Sequence, residues 1–109
     1  MTQESTNPPR SLGICVTTRE CARHVLGLTG AAARAGISTE IFLTGEGVHL
    51  VGDNRFQELV EAARVSVCDA SYRAAGFEAQ DAFGLTDKDF VTQWLNAEMI
   101  ERCDRYIVL

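Results

Sequence analysis

Residues 65–76 read V-S-V-C-D-A-S-Y-R-A-A-G, and the fold turns on how they are read. Val65, Ser66 and Val67 have the character of a short strand buried on both faces. Asp69 opens a helix, and Gly76 stands where helices commonly end. Cys68 therefore sits at the carboxyl end of a strand and at the mouth of a helix. In open α/β sheets that edge is where ligands and reactive groups gather. A helix N-terminus carries roughly half a positive charge from its aligned peptide dipoles. That field favours the thiolate, the form of cysteine that attacks.

Working outward, the same alternation of strand and helix extends in both directions. Upstream, residues 12–17 form a short, mostly apolar run, again the mark of a buried strand. Thr17 and Thr18 are good caps for a helix from Arg19, and Glu20 completes a capping box with Thr17. Cys21, Val25, Leu28 and Ala32 fall on one face of that helix, and Gly36 ends it. Residues 37–43 supply a second strand. The stretch 44–54, T-G-E-G-V-H-L-V-G-D-N, is too short and glycine-rich for another long element, so a loop is expected on the same sheet edge as Cys68. Asn54 with Gln57 caps a further helix, with Phe56, Leu59, Val60 and Ala63 inward. Downstream, residues 77–83 are a weak candidate for a short edge strand. Thr86 caps a helix reaching Cys103, with Phe90, Trp94 and Ala97 on one face and Val91 and Leu95 widening it. Residues 106–109 form a last strand.

Strands and helices alternating at this spacing predict βαβ units. The expected fold is α/β: a three-layer α/β/α domain with a mostly parallel four- to five-stranded sheet. It occupies residues 11–109, behind a polar, proline-containing, disordered tail of residues 1–10. Strand order is not readable from these runs.

A chain of 109 residues holds one hydrophobic core, not two. Its 46% hydrophobic and 23% charged residues are ordinary for a soluble globular protein. The formal net charge of −5 argues against nucleic-acid and anionic-membrane partners, which need clustered Lys and Arg. No apolar run approaches the roughly 20 residues of a bilayer span, and the first ten residues have no signal-peptide core. A cytoplasmic location is expected, where Cys15, Cys21, Cys68 and Cys103 stay as thiols.

Other constellations are weak. Cys15 and Cys21 have no C-x-x-C spacing and the two histidines are far apart in sequence, so no metal site is expected. The glycine loop matches neither G-x-G-x-x-G nor a Walker A motif, and Glu46 and Asp53 would repel a phosphate. No cofactor is expected. A G-x-S-x-G nucleophile elbow is missing. Cys15 and Cys103 have the positions of packing residues. Cys68 is the candidate nucleophile, although small residues also fill strand-to-helix turns for packing alone. Asp69 opposes its ionisation, and Arg73, four residues on, partly neutralises Asp69. Cys21 lies in the first turn of the first helix, near the same edge. His49 is either a solvent-facing loop residue or an acid–base group, and Gly45, Glu46 and Gly47 shape the loop beside the site.

The chain resembles the DsrE/DsrF-like proteins, a family that includes the TusD-type sulfur-relay subunits. The resemblance covers most of residues 12–109. It rests on L-T-G-A-A-A-R-A-G at 28–36, F-L-T-G-E-G-V at 42–48, V-C-D-A-S-Y-R-A-A-G at 67–76 and C-D-R-Y-I-V-L at 103–109. It implies a five-stranded parallel sheet in an α/β/α sandwich and an oligomeric assembly. It also implies a cysteine at the turn after the third strand that accepts sulfur as a persulfide. Cys68 matches that position; Cys21 is not part of the family's motif. The implied function is a small cytoplasmic sulfur carrier of sulfurtransferase type, without a cofactor, working between a sulfur donor protein and a sulfur acceptor protein. Two alternatives stand beside it. One is a non-catalytic binding or assembly subunit with an inert Cys68. The other is a thiol redox protein in which Cys21 resolves an oxidised Cys68. A homo-oligomer is expected, with Phe77, Phe83 and Leu85 as an exposed apolar contact surface.

Overall fold

Five parallel strands form one sheet in the order β4-β3-β2-β1-β5. The computed structural model describes residues 10–109, and the rest of the expected tail lies outside them. In chain order the main elements are β1 (Ser11–Val16), α1 (Ala22–Arg34), β2 (Ser38–Leu43), α2 (Phe56–Ala62), β3 (Arg64–Cys68), α3 (Asp69–Ala74), β4 (Phe90–Val91), α4 (Gln93–Arg102) and β5 (Arg105–Val108). The α/β/α architecture is the one expected from the alternating runs.

The strand order explains which helices share a face. From β1 the chain steps outward through β2 and β3 to β4, then returns across the whole sheet to β5 beside β1. Right-handed crossovers put helices on opposite faces when the direction of travel reverses. The side chains agree. Ile14, Val16, Ile41, Leu43, Val65 and Val67 pack with Val25 of α1, Leu59 of α2 and Tyr72 of α3. The alternate strand positions, Cys15, Phe42 and Cys68, pack with Met99 of α4 and with Cys103. β1, β2 and β3 are buried on both sides, which is why they read as nearly unbroken apolar runs.

Several local expectations are corrected. Thr17 and Thr18 do not cap α1: its N-cap is Cys21, with no side-chain cap bond. Thr17 is committed elsewhere, its N–H and Oγ1 donating to the Leu109 carbonyl at 2.6 and 3.0 Å. Thr29, not Leu28, faces inward on α1. Asn54 does not cap α2, whose N-cap is Arg55. The expected loop contains a 3₁₀ segment, Gly45–Gly52, held down by the buried side chains of Val48, Leu50 and Val51. Gly47 has a steric reason: a Cβ there would stand 2.0 Å from the Val16 carbonyl oxygen.

The region after Gly76 differs most. Residues 77–83 form no strand; they hold a short 3₁₀ turn, Ala79–Asp81. The edge strand is Phe90–Val91, cut from the start of the expected last helix. Thr86 does make a capping box with Asp89, but it closes only the single 3₁₀ turn Asp87–Asp89. Pairing of Phe90 with Val67, and the 5.0 Å contact of its ring with Tyr72, outweigh helix propensity there. Helix α4 starts at Gln93, capped by Thr92 Oγ1, which accepts from the Trp94 N–H. Met99 therefore faces the sheet, with Leu95 packed beside it, and Trp94 is 72% exposed. Phe77 and Leu85 pack against the core instead of forming a surface patch; Phe83 alone of the three is exposed. No helix among the described residues is long and apolar enough to cross a membrane.

Candidate functional site

Parallel strands end together, so the residues after β2 and β3 meet at one edge. Cys68 closes β3 there and serves as N-cap of α3. Thr44 follows β2 directly, and Ser71 lies in the first turn of α3. Gln93, the first residue of α4, reaches the same point from the opposite face of the sheet. Its Nε2 donates to Thr44 Oγ1 at 2.8 Å. The Gly45 N–H donates to Ser71 Oγ at 3.0 Å, and the Thr44 and Ser71 hydroxyl oxygens are 3.4 Å apart.

This arrangement directs protons toward the sulfur. Each hydroxyl has a single proton to give, and both hydroxyl oxygens already accept a bond. At most one of the two protons is used between Thr44 and Ser71, so at least one is free for Cys68. Burial raises the Cys68 thiol. Hydrogen bonding from the Ser71 hydroxyl and amide, and from Thr44 and Gln93, outweighs burial and holds the thiol below its ordinary value. The neutral thiol makes no cap hydrogen bond, so these donors act on the anion. Helix α3 has only six residues. The other cysteines of the same cluster behave oppositely: burial pushes Cys15 and Cys103 up. Cys68 itself is only 5% exposed.

The structure divides the residues picked out from the sequence. Asp69 and Arg73 are joined by two bonds of 3.0 and 3.1 Å, so the carboxylate next to the thiol is offset. Gly45 belongs to the site through its N–H. Glu46 and His49 do not: they cluster with Arg19 over the end of β1. The Arg19 guanidinium pairs with Glu46, and its Nη2 lies 3.2 Å from His49 Nε2, which therefore acts as an acceptor. The His49 ring meets Phe77 edge-on at 5.4 Å. Gly47 is a packing glycine. Cys21 joins the apolar cluster on the α1 side of the sheet, whereas Cys68 faces the α4 side. Among the described residues no three His, Cys, Asp or Glu side chains converge to hold a metal ion.

Compared with known proteins, the chain matches no family model and no curated protein.

Sequence reading missed Thr44, Ser71 and Gln93. Two of them had a signal. Ser71 stands three residues after the capping cysteine, where the third helical N–H faces the cap. Thr44 follows a strand predicted to end at the same edge. Gln93 had none, because the expected helix placed it in mid-span.

Proposed function

We propose that the chain is a DsrE/DsrF-like sulfur carrier, working in a reducing compartment such as the cytoplasm, with Cys68 as the sulfur-bearing residue. The observation that carries this reading is the convergence of donors from the ends of β2 and β3 and the starts of α3 and α4 on one thiol, whose acidity they raise. The parallel α/β/α sheet, with Cys68 at its carboxyl edge, supports it. The Cys68 thiolate attacks the outer sulfur of a donor persulfide, R–S–SH. The donor's S–S bond breaks, a Cys68–S–SH bond forms, and the donor leaves as R–S⁻ with no net redox change. An acceptor thiolate then takes the outer sulfur in the same way. The Thr44, Ser71 and Gln93 donors stabilise the thiolate before attack and after transfer. Cys68 is only 5% exposed, so each transfer requires the groups packed around it to part.

Mass measurement tests the assignment: a small persulfide donor adds one sulfur to the wild type and none to Cys68→Ser. Equal labelling of the two removes Cys68 from the role. The burial of Cys68 favours a second reading, a non-catalytic assembly subunit in which the thiol only packs. Iodoacetamide at neutral pH separates them, since an inert Cys68 stays unmodified while the folded carrier reacts. The homo-oligomer belongs to both readings. Among the described residues Leu28, Phe83, Trp94, Ile100 and Val108 are the exposed large apolar side chains, and light scattering of the purified chain tests it.

A further inference from the structure

Strand β5 ends the sheet on one side, with β1 as its neighbour on the other. The Leu109 N–H donates to the Cys15 carbonyl at 2.8 Å, and the Leu109 carbonyl accepts from the Thr17 N–H. The polar groups of Leu109 therefore point to β1. Successive strand residues alternate in this respect, so the N–H and carbonyl groups of Tyr106 and Val108 point away from β1, toward the open edge. We propose that two copies of this chain pair there, β5 against β5 and antiparallel, so that their two sheets continue as one.

The edge is built to be paired. Edges that stay single are blunted by short strands, proline, bulges or charge. The opposite edge, β4, is only two residues long. β5 has four, R-Y-I-V, with no proline among them. Apolar side chains flank it on one face. Val108, two residues after Tyr106, shares the α4 face of the sheet with it, and is 57% exposed. Asn96 of α4 accepts from the Tyr106 hydroxyl, so that side of α4 looks toward β5. Ile100, one helical turn beyond Asn96, lies on the same side and is 53% exposed. A twofold axis through Ile107, perpendicular to the sheet, sets the two α4 helices side by side with Ile100 and Val108 of both copies between them.

Charge complementarity favours a second copy over a foreign strand. In the register centred on Ile107, Tyr106 meets Val108 of the other copy, and each such pair exchanges both its N–H and carbonyl bonds. Arg105 then meets Leu109 of the other copy. Leu109 is bonded to Thr17, and Glu20 belongs to the turn that Thr17 opens. Arg105 and Glu20 are both exposed, and neither forms an ion pair among the described residues. Within one copy the Arg105 guanidinium only donates to the Asp104 carbonyl. The pairing brings each charge its counter-ion, so the one charge that could guard the edge becomes part of the contact. This gives the homo-oligomer proposed above a contact surface, and it rests on no property of Cys68.

Sedimentation equilibrium of the full chain, with amide hydrogen exchange, is the test. The wild type dimerises at micromolar concentration, and the Tyr106 and Val108 amides exchange more slowly as concentration rises. Val108→Pro removes an N–H that points away from β1, a position where an edge strand tolerates proline. It weakens the dimer by roughly tenfold or more, since each copy loses one bond. Ile100→Glu, on an exposed helix position, weakens it too. Arg105→Glu costs roughly tenfold, two symmetric pairs being worth about two- to fivefold each, and adding Glu20→Arg restores the dimer. Cys68→Ser dimerises as the wild type does, whether or not Cys68 carries sulfur. The proposal is overturned by a monomer at these concentrations, or by an oligomer that Val108→Pro and Ile100→Glu leave undiminished, which would place the contact elsewhere. It is equally overturned by a charge swap that restores nothing, or by slow Tyr106 and Val108 exchange in a monomer, which would mean that residues 1–9 cover the edge.

Discussion

Gln93 Nε2 donates to Thr44 Oγ1 across 2.8 Å, tying the start of α4 to the end of β2, and both residues help hold the Cys68 thiol below its ordinary value. The bond feeds a hydroxyl that stabilises the anion of that thiol.

The alkylation kinetics of Cys68 with iodoacetamide report this effect. In Gln93→Ala the pH midpoint moves up, because a donor to the thiolate is gone. Ser71→Ala also moves the midpoint up. A midpoint that stays put in both variants would show that these donors do not set the thiol's acidity.

Alkaline unfolding reports the half-buried phenol of Tyr106 on the same face. Burial, together with the neighbouring Cys15 side chain, pushes Tyr106 from 10.0 up to about 12. A folded pKa raised above the unfolded one gives stability that is complete below the unfolded value and is lost as pH rises through the folded value. The Tyr106 hydroxyl also donates to Asn96 Oδ1 at 2.6 Å. At neutral pH Tyr106→Phe is therefore less stable by about 1 kcal/mol, the usual net worth of one such bond. Between pH 10 and 12 the wild type loses its advantage and the two stability curves converge. Denaturant melts across that window check it, and parallel curves contradict it.

Gly47→Ala probes the close approach of the 3₁₀ segment to β1. The added Cβ would lie 2.0 Å from the Val16 carbonyl oxygen. Backbone cannot yield as a flexible side chain does, so the segment must lift. The expected loss is about 1–3 kcal/mol, as for other overpacked sites. Urea unfolding measures it, and a neutral result would mean that the segment moves away at little cost.

Thr29→Val is expected to stabilise. Thr29 Oγ1 is buried on the sheet-facing side of α1 without a hydrogen-bond partner among the described residues, as is Thr39 Oγ1 on β2. Val has nearly the same shape and a similar helix propensity, and it removes a desolvated hydroxyl. A gain of about 1 kcal/mol follows from the usual cost of an unsatisfied buried polar group. A loss in the thermal melt would show that the hydroxyl has a partner in solution.

The sequence by itself determined the elements whose neighbours are local. β1, β2 and β3 are buried on both faces, so their apolar runs declare them wherever the sheet places them. The step from Val67 through Cys68 to Asp69 marks a strand end meeting a helix start, and this put Cys68 at the sheet edge before any contact was known. Tertiary structure decided what depends on distant partners. The strand order, with β5 returning beside β1, leaves no local trace. Phe90 and Val91 have a helical pattern around them and pair as strand only because Val67 and Cys68 lie alongside. That pairing delays α4 to Gln93 and turns Trp94 outward. It also brings Gln93 to Thr44, 49 positions away in the chain. A hydrogen bond between such residues has no periodicity to announce it; it exists because two chain ends of the same sheet are folded onto one edge.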